Sequence, residues 1–174
     1  MKPILKPLLV LILAGLAGGR ALAADMTVKV DIPRIDTAEY HRPYVAVWLE
    51  DSQKKTVQDI AVWYEQHKAQ NEGRKWLKDL RQWWRVSGRS QEEPADGVSG
   101  ATRPVGTQTL TISDKDKRLS QLPPGDYQLV VEAAREKGGR ELVRLPLAWP
   151  PTESAQQTAN GKRELGKVEI SLAP

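Results

Sequence analysis

The sequence predicts a mainly β protein: an antiparallel β-sandwich of immunoglobulin or fibronectin-III type with one amphipathic helix. Three observations lead there. About seven or eight short segments combine β-branched and aromatic residues with period-two alternation, and turn residues separate them. A helical period occurs in one place, from Arg74 to Arg85. The strand–helix alternation of a doubly wound fold is absent, which leaves two packed antiparallel sheets as the simplest architecture.

Segment 26–32 sets Met26, Val28, Val30 and Ile32 against Thr27, Lys29 and Asp31, a half-buried strand ended by Pro33. Positions 34–43 are polar and read as a loop. Segment 44–50 is apolar on both faces, which predicts a central strand. After a charged turn with Lys54-Lys55, segment 57–64 returns with Ile60, Val62 and Tyr64 on one face, so the two strands make a hairpin.

Trp76, Leu77, Leu80, Trp83 and Trp84 then fall on one helical stripe, with Gly73 and Gly88 suited to its ends. Such a stripe serves either as a wall for a planar cofactor or, more commonly, as a face buried on a sheet. Positions 87–104 form an irregular Gly/Ser-rich loop, long enough to be functional or disordered.

Segment 107–112 is a Thr-rich strand, and 113–118 is a charged turn. Leu122-Pro123-Pro124-Gly125-Asp126 is a turn signal. Segment 127–133 puts Tyr127, Leu129, Val131 and Ala133 on one face, a pattern sandwiches show where a tyrosine starts a core strand. Lys137-Gly138-Gly139-Arg140 suits a hairpin turn, and 142–147 is the returning strand. The polar stretch 152–162 is predicted to be a mobile loop, and 165–172 alternates as a final strand.

The amino terminus predicts export. Lys2 and Lys6 form a basic region, residues 8–17 a short apolar run, and Ala21-Leu22-Ala23 a small-x-small cleavage site. Cleavage after Ala23 leaves one domain, 24–174, expected to be soluble and periplasmic, with no cysteine to acylate. Loss of Lys2, Lys6 and Arg20 takes the basic count from 26 to 23 against 22 acidic residues, so the net charge falls from +4 to +1. That near-neutral balance argues against nucleic acid as a partner. Zero cysteines exclude disulfides and thiolate metal sites.

Inside the long loop lies Asp96-Gly97-Val98-Ser99-Gly100-Ala101-Thr102. It resembles the acceptor motif of extracytoplasmic flavoproteins, Asp-x-x-Ser-Gly-Ala-Thr, in which a flavin transferase uses FAD to esterify the last threonine through the FMN phosphate. The resemblance implies Thr102 as the acceptor oxygen, with Asp96, Ser99, Gly100 and Ala101 as the rest of the motif. The chemistry needs a hydroxyl on exposed, pliable backbone, which Gly97 and Gly100 favour and Ala101 does not crowd. Where known sites continue with small hydroxyl residues, this chain has Arg103-Pro104. Spacing alone also fits a glycine-containing loop whose Ser99 and Thr102 cap neighbouring backbone. Asp96 either orients the acceptor, helps hold a metal ion during transfer, or bonds its own backbone in a turn. Arg103 either pairs with the FMN phosphate or is solvated.

Segments 44–51, 77–85, 96–104 and 122–127, with 140–144, resemble a family of predicted periplasmic proteins built on a domain of unknown function. Its members tend to be encoded near PepSY-type membrane proteins and flavin transferases. The resemblance implies a periplasmic redox carrier with covalent FMN, modified by a flavin transferase and coupled to a PepSY-type membrane protein. A reading from another class is a cofactor-free module that docks a membrane partner through its sheet edges or Trp-rich surface. Other chemistries have little support. His41 and His67 are far apart and lack a ligand-spaced carboxylate. Ser99 lacks the Gly-x-Ser-x-Gly setting of a hydrolase nucleophile.

Overall fold

The computed structural model describes residues 24–91 and 97–174, so the signal-peptide expectation for 1–23 and the role of Asp96 fall outside it. Nine strands are present among the described residues: β1 (Asp25–Ile32), β2 (Tyr44–Glu50), β3 (Thr56–Tyr64), β4 (Ser99–Ala101), β5 (Gly106–Ile112), β6 (Gly125–Ala134), β7 (Arg140–Trp149), β8 (Ala155–Asn160) and β9 (Lys167–Ala173). One sheet has the order β5-β1-β9-β8 and the other β4-β3-β2-β6-β7. Every pairing is antiparallel except β3 with β4.

Alternation explains the core between the sheets. Met26, Val28 and Val30 of β1 meet Val45, Val47 and Leu49 of β2, with Leu129 and Val131 of β6 and Ile170 of β9 in the same cluster. β2 is buried along its whole length, as its two-sided apolar sequence predicts. Its other face, Tyr44, Ala46 and Trp48, lies in a second apolar layer with Val62, Leu77, Leu80 and Trp83. The sheet β4-β3-β2-β6-β7 is therefore covered on both faces, by the other sheet and by the Trp-rich segment. Buried charged groups are hydrogen-bonded: Arg135 Nε donates to Glu164 at 2.9 Å, and Glu50 accepts from the Trp48 indole at 3.0 Å and from Arg144 Nε at 3.4 Å.

The predicted single helix is instead a chain of short turns. α1 (Glu72–Lys75) and α2 (Arg81–Val86) are separated by a 3-10 turn, Leu77–Asp79, and by Leu80 at ψ 71°. The break follows from a distant carboxylate. Glu132 of β6, fully buried, accepts the amides of Gln82 at 3.1 Å and Trp83 at 2.8 Å, two of the unpaired donors of a helix start. Leu77, Leu80 and Trp83 reach the sheet, whereas Trp76 is left 42% exposed, so the five-residue stripe is not one buried face. Gly88 closes the segment because a Cβ there would stand 2.5 Å from the Trp83 ring.

Three loop expectations are also corrected. The stretch 87–104 contains β4, the turn 113–118 runs into α3 (Lys117–Ser120) with Asp116 capping Arg118, and 152–162 contains β8. β4 and β8 have no apolar alternation to betray them, because both are edge strands with little buried side-chain surface.

Candidate functional site

The acceptor-like segment runs beside β3 as a parallel edge strand. Ser99 pairs with Val62, Gly100 with Trp63 and Ala101 with Tyr64. Bonds outside the strand extend this track: Val62 N–H donates to Val98 O at 2.8 Å, and Thr102 N–H donates to Tyr64 O at 3.2 Å. Arg118 Nη1 donates to Ile60 O at 2.9 Å and Gly97 O at 3.3 Å, clamping the start of the segment to β3. Gly97 turns the chain into this track at φ +80°, a conformation that favours glycine. The segment expected to be pliable, 97–102, is thus held along β3 by backbone bonds. β3 is almost wholly buried at this end, and pairing with β4 satisfies amides and carbonyls that would otherwise lie open at its edge.

Each motif residue then has a definite place. Gly100 lies over the buried Trp63, where an added Cβ would be 3.2 Å from the ring carbon Cδ1. The glycine serves close approach, not pliancy. The Arg103 guanidinium stacks on the same indole, 5.2 Å from the ring centroid, and has no carboxylate partner among the described residues. Ser99 and Thr102 are half-buried and Ala101 is exposed. Among the described residues neither hydroxyl has a hydrogen-bond partner, so neither caps backbone. Thr102 thus ends the edge strand with its backbone fixed and its oxygen unused.

Two carboxylates that sequence reasoning missed hold the surrounding layer. Asp59 of β3 accepts from the Trp83 indole at 3.0 Å, the Ser87 hydroxyl and the Gln91 amide at 2.7 Å. Glu132 takes, besides the α2 amides, the Arg140 guanidinium at 2.7 Å. Apart from Arg140, their partners lie tens of positions away, and no local pattern marks them.

Trp83 is 1% exposed, which leaves no face for a planar cofactor, and Trp84 is half-buried. Trp76 stands at the rim of a small cleft with His41, Arg42, Tyr44, Glu65 and Asp79. There His41 Nε2 lies 3.0 Å from Glu39, and burial pushes the Tyr44 hydroxyl far above the usual phenol range while it donates to Gly73 O at 3.0 Å. His67 is exposed. Among the described residues no three His, Cys, Asp or Glu side chains gather into a group able to hold a metal ion.

Residues 25–167 match the family described as "Predicted periplasmic protein (DUF2271)". The chain belongs to that family. This DUF2271 protein is accordingly periplasmic, and among its described residues no helix is long and apolar enough to cross a membrane. No curated protein and no solved structure matches it. The DUF2271 match includes β4, Thr102 and both anchoring carboxylates, so the candidate site lies within the family's own span.

Proposed function

We propose that this DUF2271 protein is a periplasmic electron carrier with FMN attached covalently to Thr102, working with a PepSY-type membrane protein. The observation that carries the reading is the Thr102 hydroxyl: it sits half-buried at the end of an edge strand, within the Ser-Gly-Ala-Thr sequence, and has no partner among the described residues. The neighbouring residues fit a phosphoester. Arg103 beside it is an exposed cation without a carboxylate partner among the described residues, and Ala101 adds no bulk. In the attachment step, catalysed by a flavin transferase, Thr102 Oγ1 forms a bond to the FMN phosphorus of FAD. The pyrophosphate P–O bond breaks, AMP leaves, and the hydroxyl proton is released. Bound FMN would supply one- and two-electron redox chemistry. The protein's own residues provide the oxygen, a nearby positive charge, and a strand fixed to β3 through Val98 and Thr102.

The test is co-expression with a flavin transferase in the periplasm, then intact mass and in-gel flavin fluorescence after denaturation. A mass gain of one FMN less water is expected. Wild-type protein without that gain would sink the reading and leave the cofactor-free docking module in its place.

We also propose that the two-sheet fold is of immunoglobulin or fibronectin-III type. Connectivity supports this: β1 lies beside β5 in one sheet, the other contains β3-β2-β6-β7, and the chain changes sheet between β1 and β2 and between β5 and β6. Tyr127 near the start of β6 donates its hydroxyl to Pro123 O at 2.7 Å, the back-bond of a tyrosine corner. β9 takes the place beside β1 that a first strand has in those sandwiches. A crystal structure with another strand order would overturn this assignment.

A further inference from the structure

The free edge of β8 has an unusual chemistry. Edge strands are ordinarily blunted by charge, proline, a bulge or a covering element. β8 is Ala155-Gln156-Gln157-Thr158-Ala159-Asn160, with no charge, no proline and an unbroken register against β9. Every residue but Ala159 is exposed, and none of its side chains has a hydrogen-bond partner among the described residues. Between β8 and β7 an apolar groove opens, lined by Pro146, Leu147, Pro151, Ala155, Ile170 and Leu172.

The direction of the free backbone groups is readable. Gly161 N–H donates to Gly166 O at 2.8 Å, one step beyond the Asn160–Lys167 pair. Bonded and non-bonded positions alternate along an antiparallel ladder. Ala155, Gln157 and Ala159 therefore turn their amides and carbonyls to β9, and Gln156, Thr158 and Asn160 turn theirs outward.

We infer that β8 pairs antiparallel with β8 of a second copy of this chain, about a two-fold axis at Thr158, joining the two four-stranded sheets into one. Outward positions must meet outward positions. The register about Thr158 pairs all three: Thr158 with its counterpart, and Gln156 with Asn160 at each end. It also brings Glu153 alongside Arg163 of the second copy, twice. Glu153 and Arg163 are exposed, and neither has an ion-pair partner among the described residues. The positive end is displayed from fixed backbone, because the Glu141 carboxylate accepts the amides of Lys162, Arg163, Glu164 and Leu165. The grooves of the two copies border the joined edge. β5, the other edge of this sheet, is less suited. Gln108 already bonds the Pro104 and Gly106 carbonyls along it. Pairing through β8 leaves β4 and Thr102 at the far edge of the other sheet, open to a transferase.

The chain has no cysteine, so Thr158→Cys introduces a single thiol. Light scattering on the mature protein should give twice the chain mass. Mild oxidation should link Thr158→Cys into a dimer, since facing bonded positions stand about 5.5 Å apart, within disulfide reach. Gln156→Cys, off the axis, should link far less. Thr158→Lys sets two ammonium groups on the axis and should halve the mass while leaving circular dichroism unchanged. A single-chain mass for wild type at all concentrations overturns the inference, including in favour of an unrelated extended partner at this edge. So does a Thr158→Lys protein that stays dimeric, or equal cross-linking at 156 and 158.

Discussion

The Trp83 indole N–H donates to Asp59 at 3.0 Å, joining the covering layer to β3 across 24 positions of sequence. The same carboxylate holds Ser87 and Gln91, so one side chain fastens both the end of α2 and the approach to the acceptor-like strand. Trp83→Ala should cost about 3–5 kcal/mol, by lost burial and the cavity left behind. Trp83→Phe keeps much of the packing but removes a donor from Asp59, for about 1–3 kcal/mol. Urea unfolding followed by circular dichroism separates the two. A Trp83→Ala protein as stable as wild type would show that this layer is not core.

Glu132 supports a second stability prediction. It is fully buried and holds two α2 amides and Arg140. Glu132→Ala should cost about 3–5 kcal/mol, the range for breaking a buried charged network. Arg140→Ala should cost less, because that side chain is 43% exposed and Glu132 keeps its amide donors. Near-ultraviolet dichroism should report the loosening of Trp83 and Trp84 in the first variant, and equal losses in both would contradict the amide-capping role.

Most strands with an apolar face were legible from period alone, but not β3: a bulge at Ile60 puts that side chain in the core between the sheets with Ala61 and Trp63, while Val62 and Tyr64 face the second layer. β2 announced its central place because both of its faces are apolar, and Tyr127 announced the start of a core strand. β8 was not legible, since a polar edge strand is defined by its partner, here β9, and not by its own sequence. The broken helix was hidden for a related reason: Leu80 leaves the helical backbone where a carboxylate fifty positions from Gln82 supplies the next helix start. At the candidate site the motif located Thr102, but Gly100 and Arg103 could not be interpreted without Trp63, which only the pairing of β3 with β4 brings beneath them.

Acid stability should depend on Glu169 and Asp116. Hydrogen bonds from Lys167 and Lys29 hold the Glu169 carboxyl at about 2, below its ordinary 4.5. The Arg118 side chain and amide hold Asp116 at about 2, below 3.8. Both folded-state values are depressed, so the stabilisation is fully present above the unfolded values. It is lost as pH falls through the window from 4.5 to about 2. Glu169→Gln and Asp116→Asn should each flatten the decline of the urea midpoint there. Carboxyl titration by NMR checks the cause directly, and an ordinary midpoint for Glu169 would rule out its part in it.

The last prediction concerns Thr102. Its hydroxyl has no partner among the described residues, so Thr102→Ala should leave stability within about 0.5 kcal/mol of wild type while abolishing covalent FMN. Thr102→Ser should retain part of the modification, because the oxygen remains, and Ser99→Ala should reduce it without removing the acceptor. The pairing of β4 with β3 adds a kinetic expectation. A transferase that must take the segment into its own active site works on the fraction of molecules in which β4 has peeled away. Arg118→Ala removes the clamp on Gly97 and should raise the initial rate of modification per folded molecule. Intact mass against time, with hydrogen exchange at the Thr102 amide, measures both quantities. Equal FMN content in Thr102→Ala and wild type would refute the acceptor assignment. Faster exchange in Arg118→Ala without faster modification would show instead that the transferase recognises the strand in place.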